Sequence, residues 1–142
     1  MKKKENNWRH KSIENLEKRD FGSSDDAPTR MVKRCLDFCK VSLDQFTVED
    51  LRLIVGQEFA LTYLIPLAIE HLQKDIFSEG DLYPGDLLKN VLSIDKGFWL
   101  ENKNYWDGIN GLIEPKRRDL TANDISTTLF DTAFSQPGSR QQ

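Results

Sequence analysis

Two histidines, His10 and His71, are the side chains best suited to move a proton at neutral pH, and neither stands beside a serine or cysteine in a nucleophile motif. Both read as surface residues, His10 in a basic opening stretch and His71 next to Glu70 on an apolar helical run. Cys35 and Cys39 lie one helical turn apart among Met31, Val32, Leu36 and Phe38. A disulfide across such a pair is geometrically awkward and no histidine completes a metal set, so they read as reduced thiols packed as small apolar groups. No glycine-rich phosphate loop of either common spacing occurs. The stretch 79–86 gathers the carboxylates of Glu79, Asp81 and Asp86 with Gly80 and Gly85, but it lacks the alternating acids and closing bidentate glutamate of a calcium loop. Glu58 and Glu70 are twelve residues apart, roughly 18 Å along one straight helix, which is too far for a two-carboxylate mechanism. Trp8, Trp99 and Trp106 would need a positive groove to serve as base-stacking platforms; at helical spacing they read as core. The chemistry therefore points to no enzyme, no cofactor and no metal.

The elements that position these residues are of helical type. Ser12 can cap a short helix ending near Arg19, with acids in its first turn. A loop over 21–27 leads to Pro28 and a helix over 29–40, whose face combines Met31, Cys35 and Phe38 with Val32, Leu36 and Cys39 at i, i+3, i+4, i+7 spacing. Thr47 offers a cap, followed by Glu49 and Asp50, for a helix starting at Val48 and carrying Leu51, Ile54 and Val55. Gly56 weakens that helix and Pro66 interrupts the next apolar run, so 57–73 is one kinked helix or two, and the central element either way. The loop 75–86 opens a helix from about Gly85 to Leu92. Asp95 can cap a helix with Phe98, Trp99 and Leu100, Asn104 one with Trp106, Ile109 and Leu112, and Thr121 one with Ile125, Leu129 and Phe130. No strand-like alternation persists, and no repeat appears. The expected fold is all-α: a single multi-helix domain over 1–134, with a basic start at 1–11 and a polar tail at 135–142.

A length of 142 residues, 38% of them hydrophobic, suits one ordinary domain with its own core. The basic start lacks the apolar run of a signal peptide, and the apolar run at 59–69 is too short to span a bilayer, so a cytoplasmic location is expected. Charge is unevenly distributed. Residues 1–40 carry eleven Lys/Arg against seven Asp/Glu (+4), 41–114 five against thirteen (−8) and 115–142 four against three (+1), making up the net −3. An acidic centre disfavours nucleic acid and favours a basic protein partner.

The phrases Phe46-Thr47-Val48-Glu49-Asp50-Leu51-Arg52-Leu53-Ile54-Val55-Gly56-Gln57, Tyr63-Leu64-Ile65-Pro66-Leu67-Ala68-Ile69-Glu70 and Glu79-Gly80-Asp81-Leu82-Tyr83-Pro84-Gly85-Asp86-Leu87-Leu88 follow one another in order. With the opening Trp8-Arg9-His10-Lys11-Ser12-Ile13-Glu14-Asn15-Leu16-Glu17-Lys18, the chain resembles the immunity proteins of bacterial contact-dependent growth inhibition systems over roughly residues 8–112. The resemblance implies a cytoplasmic inhibitor that binds the toxic C-terminal domain delivered by a sibling cell, usually a nuclease, and blocks its active site or substrate surface. A compact acidic protein suits a basic RNA-cleaving target. Leu51, Ile54, Leu64, Leu67, Leu87 and Leu88 are expected to specify the fold. The toxin-binding set is expected to draw on Glu79, Asp81, Tyr83 and Asp86, with Asp86 either capping the adjoining helix or facing the toxin. The competing reading is a helical adaptor for an unrelated basic protein.

Overall fold

Apolar runs at helical spacing, three of them behind side-chain caps at Ser12, Thr29 and Asp95, form helices in the computed structural model, which describes residues 7–134. Among the described residues there is no strand, only an isolated antiparallel bridge between Glu79 and Pro84. The chain is all-α, in two compact units, Met1–Thr47 and Val48–Gln142. The first six residues of the basic start and the polar tail at 135–142 lie outside the described residues.

In the first unit, a 3-10 turn at Trp8–His10 precedes α1 (Ile13–Glu17). Ser12 caps α1 reciprocally with Asn15: the Ser12 hydroxyl accepts from the Asn15 N–H at 3.1 Å, and the Asn15 side chain accepts from the Ser12 N–H at 3.3 Å. The helix ends two residues before Arg19, where Lys18 takes a left-handed conformation and its N–H closes onto the Glu14 carbonyl. Thr29 caps α2 (Arg30–Phe38), its hydroxyl accepting from the Val32 N–H at 3.1 Å. The amphipathic face expected of α2 is present but shallow. Met31, Cys35, Leu36 and Phe38 are half-buried, Val32 is exposed, and full burial begins only at Cys39. Both cysteines are free. Burial, reinforced by Glu14 and Cys35, pushes the Cys39 thiol up to about 11, so it is a neutral packing group at physiological pH. The Glu14 N–H donates to the Cys39 carbonyl, and Lys40 reaches the Glu14 carboxylate at 2.7 Å, tying α1 to the end of α2.

The second unit opens with α3 (Val48–Gly56) and α4 (Leu61–Lys74). Leu51, Ile54 and Val55 on α3, and Leu61, Leu64, Ile65, Leu67, Ala68 and Leu72 on α4, are buried at helical spacing. Over 57–73 one helix forms and not two: α4 starts at Leu61 and runs through Pro66, separated from α3 by a break at 57–60, where Glu58 and Ala60 both adopt left-handed backbone. The break is supported at Glu58, whose carboxylate accepts the Asp95 N–H at 3.2 Å. Pro66 is accommodated inside α4. It cannot donate to the Thr62 carbonyl four residues back, and the Tyr105 hydroxyl donates to that oxygen instead, at 3.3 Å.

α5 (Asp86–Leu92) packs on α3 and α4 through Leu87, Leu88, Val91 and Leu92. Asp95 caps α6 (Lys96–Glu101) as its position suggests, accepting from the Gly97 N–H at 2.8 Å. α7 (Lys103–Ile113) begins one residue before Asn104, which is therefore inside the helix and not its cap. Asn102 makes the corner, its side chain donating to the Phe98 carbonyl at 2.9 Å. Thr121 caps nothing either. It lies in α8 (Arg117–Ala122), a short charged helix without the periodic apolar pattern that would reveal it, and the last described helix, α9 (Thr128–Thr132), starts beyond Ile125.

α9 is held by aromatic packing and an ion pair. Phe130 stacks on Trp106 at 4.9 Å and meets Trp99 edge-on at 5.3 Å, and the Trp106 indole N–H donates to the Phe130 carbonyl at 2.9 Å. Arg117 binds Asp131 at 2.8 and 3.1 Å, and Thr127 adds a hydroxyl donor to the same carboxylate at 2.7 Å. Burial pushes the Asp131 carboxyl up, but the hydrogen bonds from Arg117 and Thr127 outweigh it and hold the group below the ordinary range. A carboxylate depressed on folding stabilises fully above its unfolded pKa of about 4, and the contribution is lost as pH falls through the folded value. Acidification below about pH 4 is therefore expected to loosen α9 ahead of the rest. Near-ultraviolet circular dichroism of the tryptophans would follow it, and an Asp131→Asn protein with the same acid profile as the parent would show that this pair is not responsible.

Candidate functional site

The loop at 79–86 turns on α3 and on the first residue of α5. Its local sequence needs a glycine at each end. A Cβ at Gly80 would lie 2.5 Å from Glu49 Oε1 and 3.2 Å from the Glu49 Cα, and Gly85 has φ of +91° while a Cβ there would meet Ile125 Cδ1 at 2.6 Å. At Gly85 the backbone itself disfavours any side chain, and at Gly80 a side chain would have to displace the Glu49 carboxylate that holds the loop.

Inside the loop sits Asp86, 1% exposed. Its Oδ1 accepts the Gly80 N–H at 2.7 Å, and its Oδ2 accepts those of Leu82 at 2.9 Å and Tyr83 at 3.3 Å. Arg52 Nε lies 3.6 Å from the same Oδ2. Arg52 also binds both oxygens of Glu49, at 2.8 and 2.6 Å, and Glu49 Oε1 in turn accepts the Asp81 N–H at 2.7 Å. The hydrogen bond to Glu49 is the main reason that the Arg52 guanidinium is held even more firmly protonated than usual. Four consecutive or near-consecutive backbone donors thus end on two carboxylates joined by one arginine. Such an arrangement favours this loop shape, because a buried carboxylate is costly without partners and its charge-assisted hydrogen bonds are strong. The Asn90 side chain donates to the Arg52 carbonyl at 2.8 Å, which locks α5 to the turn of α3 that carries the arginine.

The four sequence-expected residues divide accordingly. Glu79 and Asp81 are exposed, Tyr83 is 38% exposed, and Asp86 is interior. Asp86 does not cap α5: Gly85 occupies the cap position, and the carboxylate points back into the loop. Its bearing on any partner is through the loop's conformation. Sequence reading passed over Glu49 and Arg52, whose i, i+3 spacing signals a helix-surface pair and gives no sign of a target thirty residues away. It also passed over Leu82, which at 61% is the most exposed large apolar residue described.

Other groups that invite chemistry are otherwise engaged. An open cleft of about 460 Å³ is lined by Arg117, Thr121, Ile125 and Thr127 among others, but the Arg117 guanidinium is bound to Asp131, Thr127, Asn110 and Glu114. Glu58 serves the α3–α4 break, and His10 contacts Asp44 at 2.8 Å. Burial, with help from Lys74, pushes the His71 imidazole toward its neutral form. No group of three or more metal-ligating side chains occurs among the described residues, and no described helix is long and apolar enough to cross a membrane.

A family model described as CDI immunity proteins matches residues 15–109. The match takes in α3 to α6, the loop at 79–86 and the three side chains that shape it, and it stops within α7. No curated protein and no solved structure matches the chain.

Proposed function

We infer the role of this chain from its family: it belongs to the CDI immunity proteins, and it acts by binding and neutralising the cognate C-terminal toxin domain of a contact-dependent growth inhibition effector. The family match over two thirds of the chain is the observation that carries this reading. The toxin is a nuclease that cleaves RNA, the encounter takes place in the cytoplasm, and the immunity protein touches the toxin and not its nucleic acid. It works by occupancy and not by turnover. The balance of −8 over residues 41–114 supports the choice of target, since an RNA-cleaving domain presents cations to its substrate's phosphates. The contact surface is centred on the loop, with Glu79, Asp81 and Tyr83 outward and Asp86 shaping it from within.

Co-expression tests this reading. The toxic domain encoded by the reading frame immediately upstream is induced in cells with and without this chain. Restored growth supports it, and growth arrest undiminished by abundant, folded protein would overturn it.

A further inference from the structure

The backbone of the loop faces inward. The N–H groups of Gly80, Leu82 and Tyr83 end on Asp86, that of Asp81 ends on Glu49, and Glu79 and Pro84 bridge to each other. Donors engaged in this way cannot pair with an incoming strand, so recognition here runs through side chains and not through strand addition. The large apolar side chains left outside are Leu82 and the adjacent Tyr83, on the same loop as the exposed carboxylates of Glu79 and Asp81. The Lys89 ammonium stands 5.9 Å from the Tyr83 ring centroid, on the side toward α5. An apolar side chain held this far out by a rigid loop adds little to folding, because little of its surface leaves water.

We propose that Leu82 and Tyr83 are the anchor of the toxin interface: a preformed apolar knob that seats in an apolar recess bordered by Lys and Arg side chains of the toxin domain. Glu79 and Asp81 meet those bordering cations, and Glu49, Arg52 and Asp86 hold the loop in its seated shape before contact. This rests on the toxin-neutralising reading above and names the surface and the complementary chemistry. Interfaces place aromatic and apolar anchors at the centre and charges at the rim, and the anchors carry most of the energy. A loop ordered in advance loses less conformational freedom on binding, so more of the contact energy appears as affinity. Rim charges act chiefly on association and the centre on dissociation.

The test uses the purified toxin domain encoded immediately upstream and measures association and dissociation rates at low and high salt. Variants are Leu82→Ala, Tyr83→Ala, both together, and Glu79→Gln with Asp81→Asn. Leu129→Ala, an exposed leucine on α9, is the control. Each is first shown to keep the parent's helical spectrum and melting point. The double Leu82/Tyr83 variant should dissociate about 30-fold faster or more, with association little changed. The acid pair should associate more slowly with a flatter salt dependence, and Leu129→Ala should match the parent. If the parent binds tightly and the double variant dissociates at the same rate, the anchor assignment falls while the immunity reading stands. A double variant that instead changes this chain's own sedimentation mass identifies a second copy as the occupant and also overturns it. If the parent itself does not bind the toxin domain, both fall.

Discussion

An Asp86→Ala protein should be about 3 kcal/mol less stable than the parent, the lower end of what removing one partner of a buried ion pair costs. The change leaves three backbone donors without an acceptor and Arg52 without one of its two carboxylates. The effect stays near the lower end because the loop is at the surface: its freed N–H groups can reach water once it opens, and Glu49 still binds Arg52. Asp86→Asn should fall between, since an amide offers one acceptor oxygen where the carboxylate offered two. Chemical denaturation gives the midpoint, and amide exchange at Gly80, Leu82 and Tyr83 reports the loop directly. Parent-like protection of those amides in Asp86→Ala would show that the carboxylate does not hold the loop. The variant should also bind the toxin more weakly, although Asp86 itself stays out of contact.

Trp99→Ala should cost about 3 to 5 kcal/mol, the range for removing a fully buried aromatic ring. Trp99 is wholly buried and stands edge-on to both Phe98 and Phe130. Its loss leaves a cavity where α6 meets α9. The indole N–H has no hydrogen-bond acceptor among the described residues, so Trp99→Phe removes none of their hydrogen bonds and should lose much less than the alanine variant. The pair of variants separates ring volume from polarity, with the thermal midpoint as the measurement. Equal losses for Phe and Ala would point to an acceptor for the indole and count against packing as the cause.

Caps were readable because they are local. Ser12 and Asp95 do what their side chains and the next few residues suggest, over three residues or fewer, whereas Thr29 caps α2 where the pattern places a helix start at Pro28. Where the outcome depends on a distant partner, sequence spacing is silent. Nothing in Glu58 or Ala60 announces left-handed backbone, a conformation that residues other than glycine seldom adopt, and the break between α3 and α4 therefore lies beyond the Gly56 that hints at it. The periodic face of α2 is legible, but its depth of burial depends on what covers it. In the loop, the concentration of acids is visible in the sequence. The contrast between exposed Asp81 and interior Asp86 is not, because it depends on how the loop folds its own N–H groups onto Asp86 and on Arg52 of another helix beside it.

Titrating the purified toxin domain's RNA cleavage with this chain tests the central claim most directly. Neutralisation by tight binding predicts that activity falls in proportion to added protein and reaches zero at a fixed, small molar ratio, with the complex visible as a single species at that point. Cleavage that continues unchanged in molar excess of folded protein, with no complex formed, would contradict it.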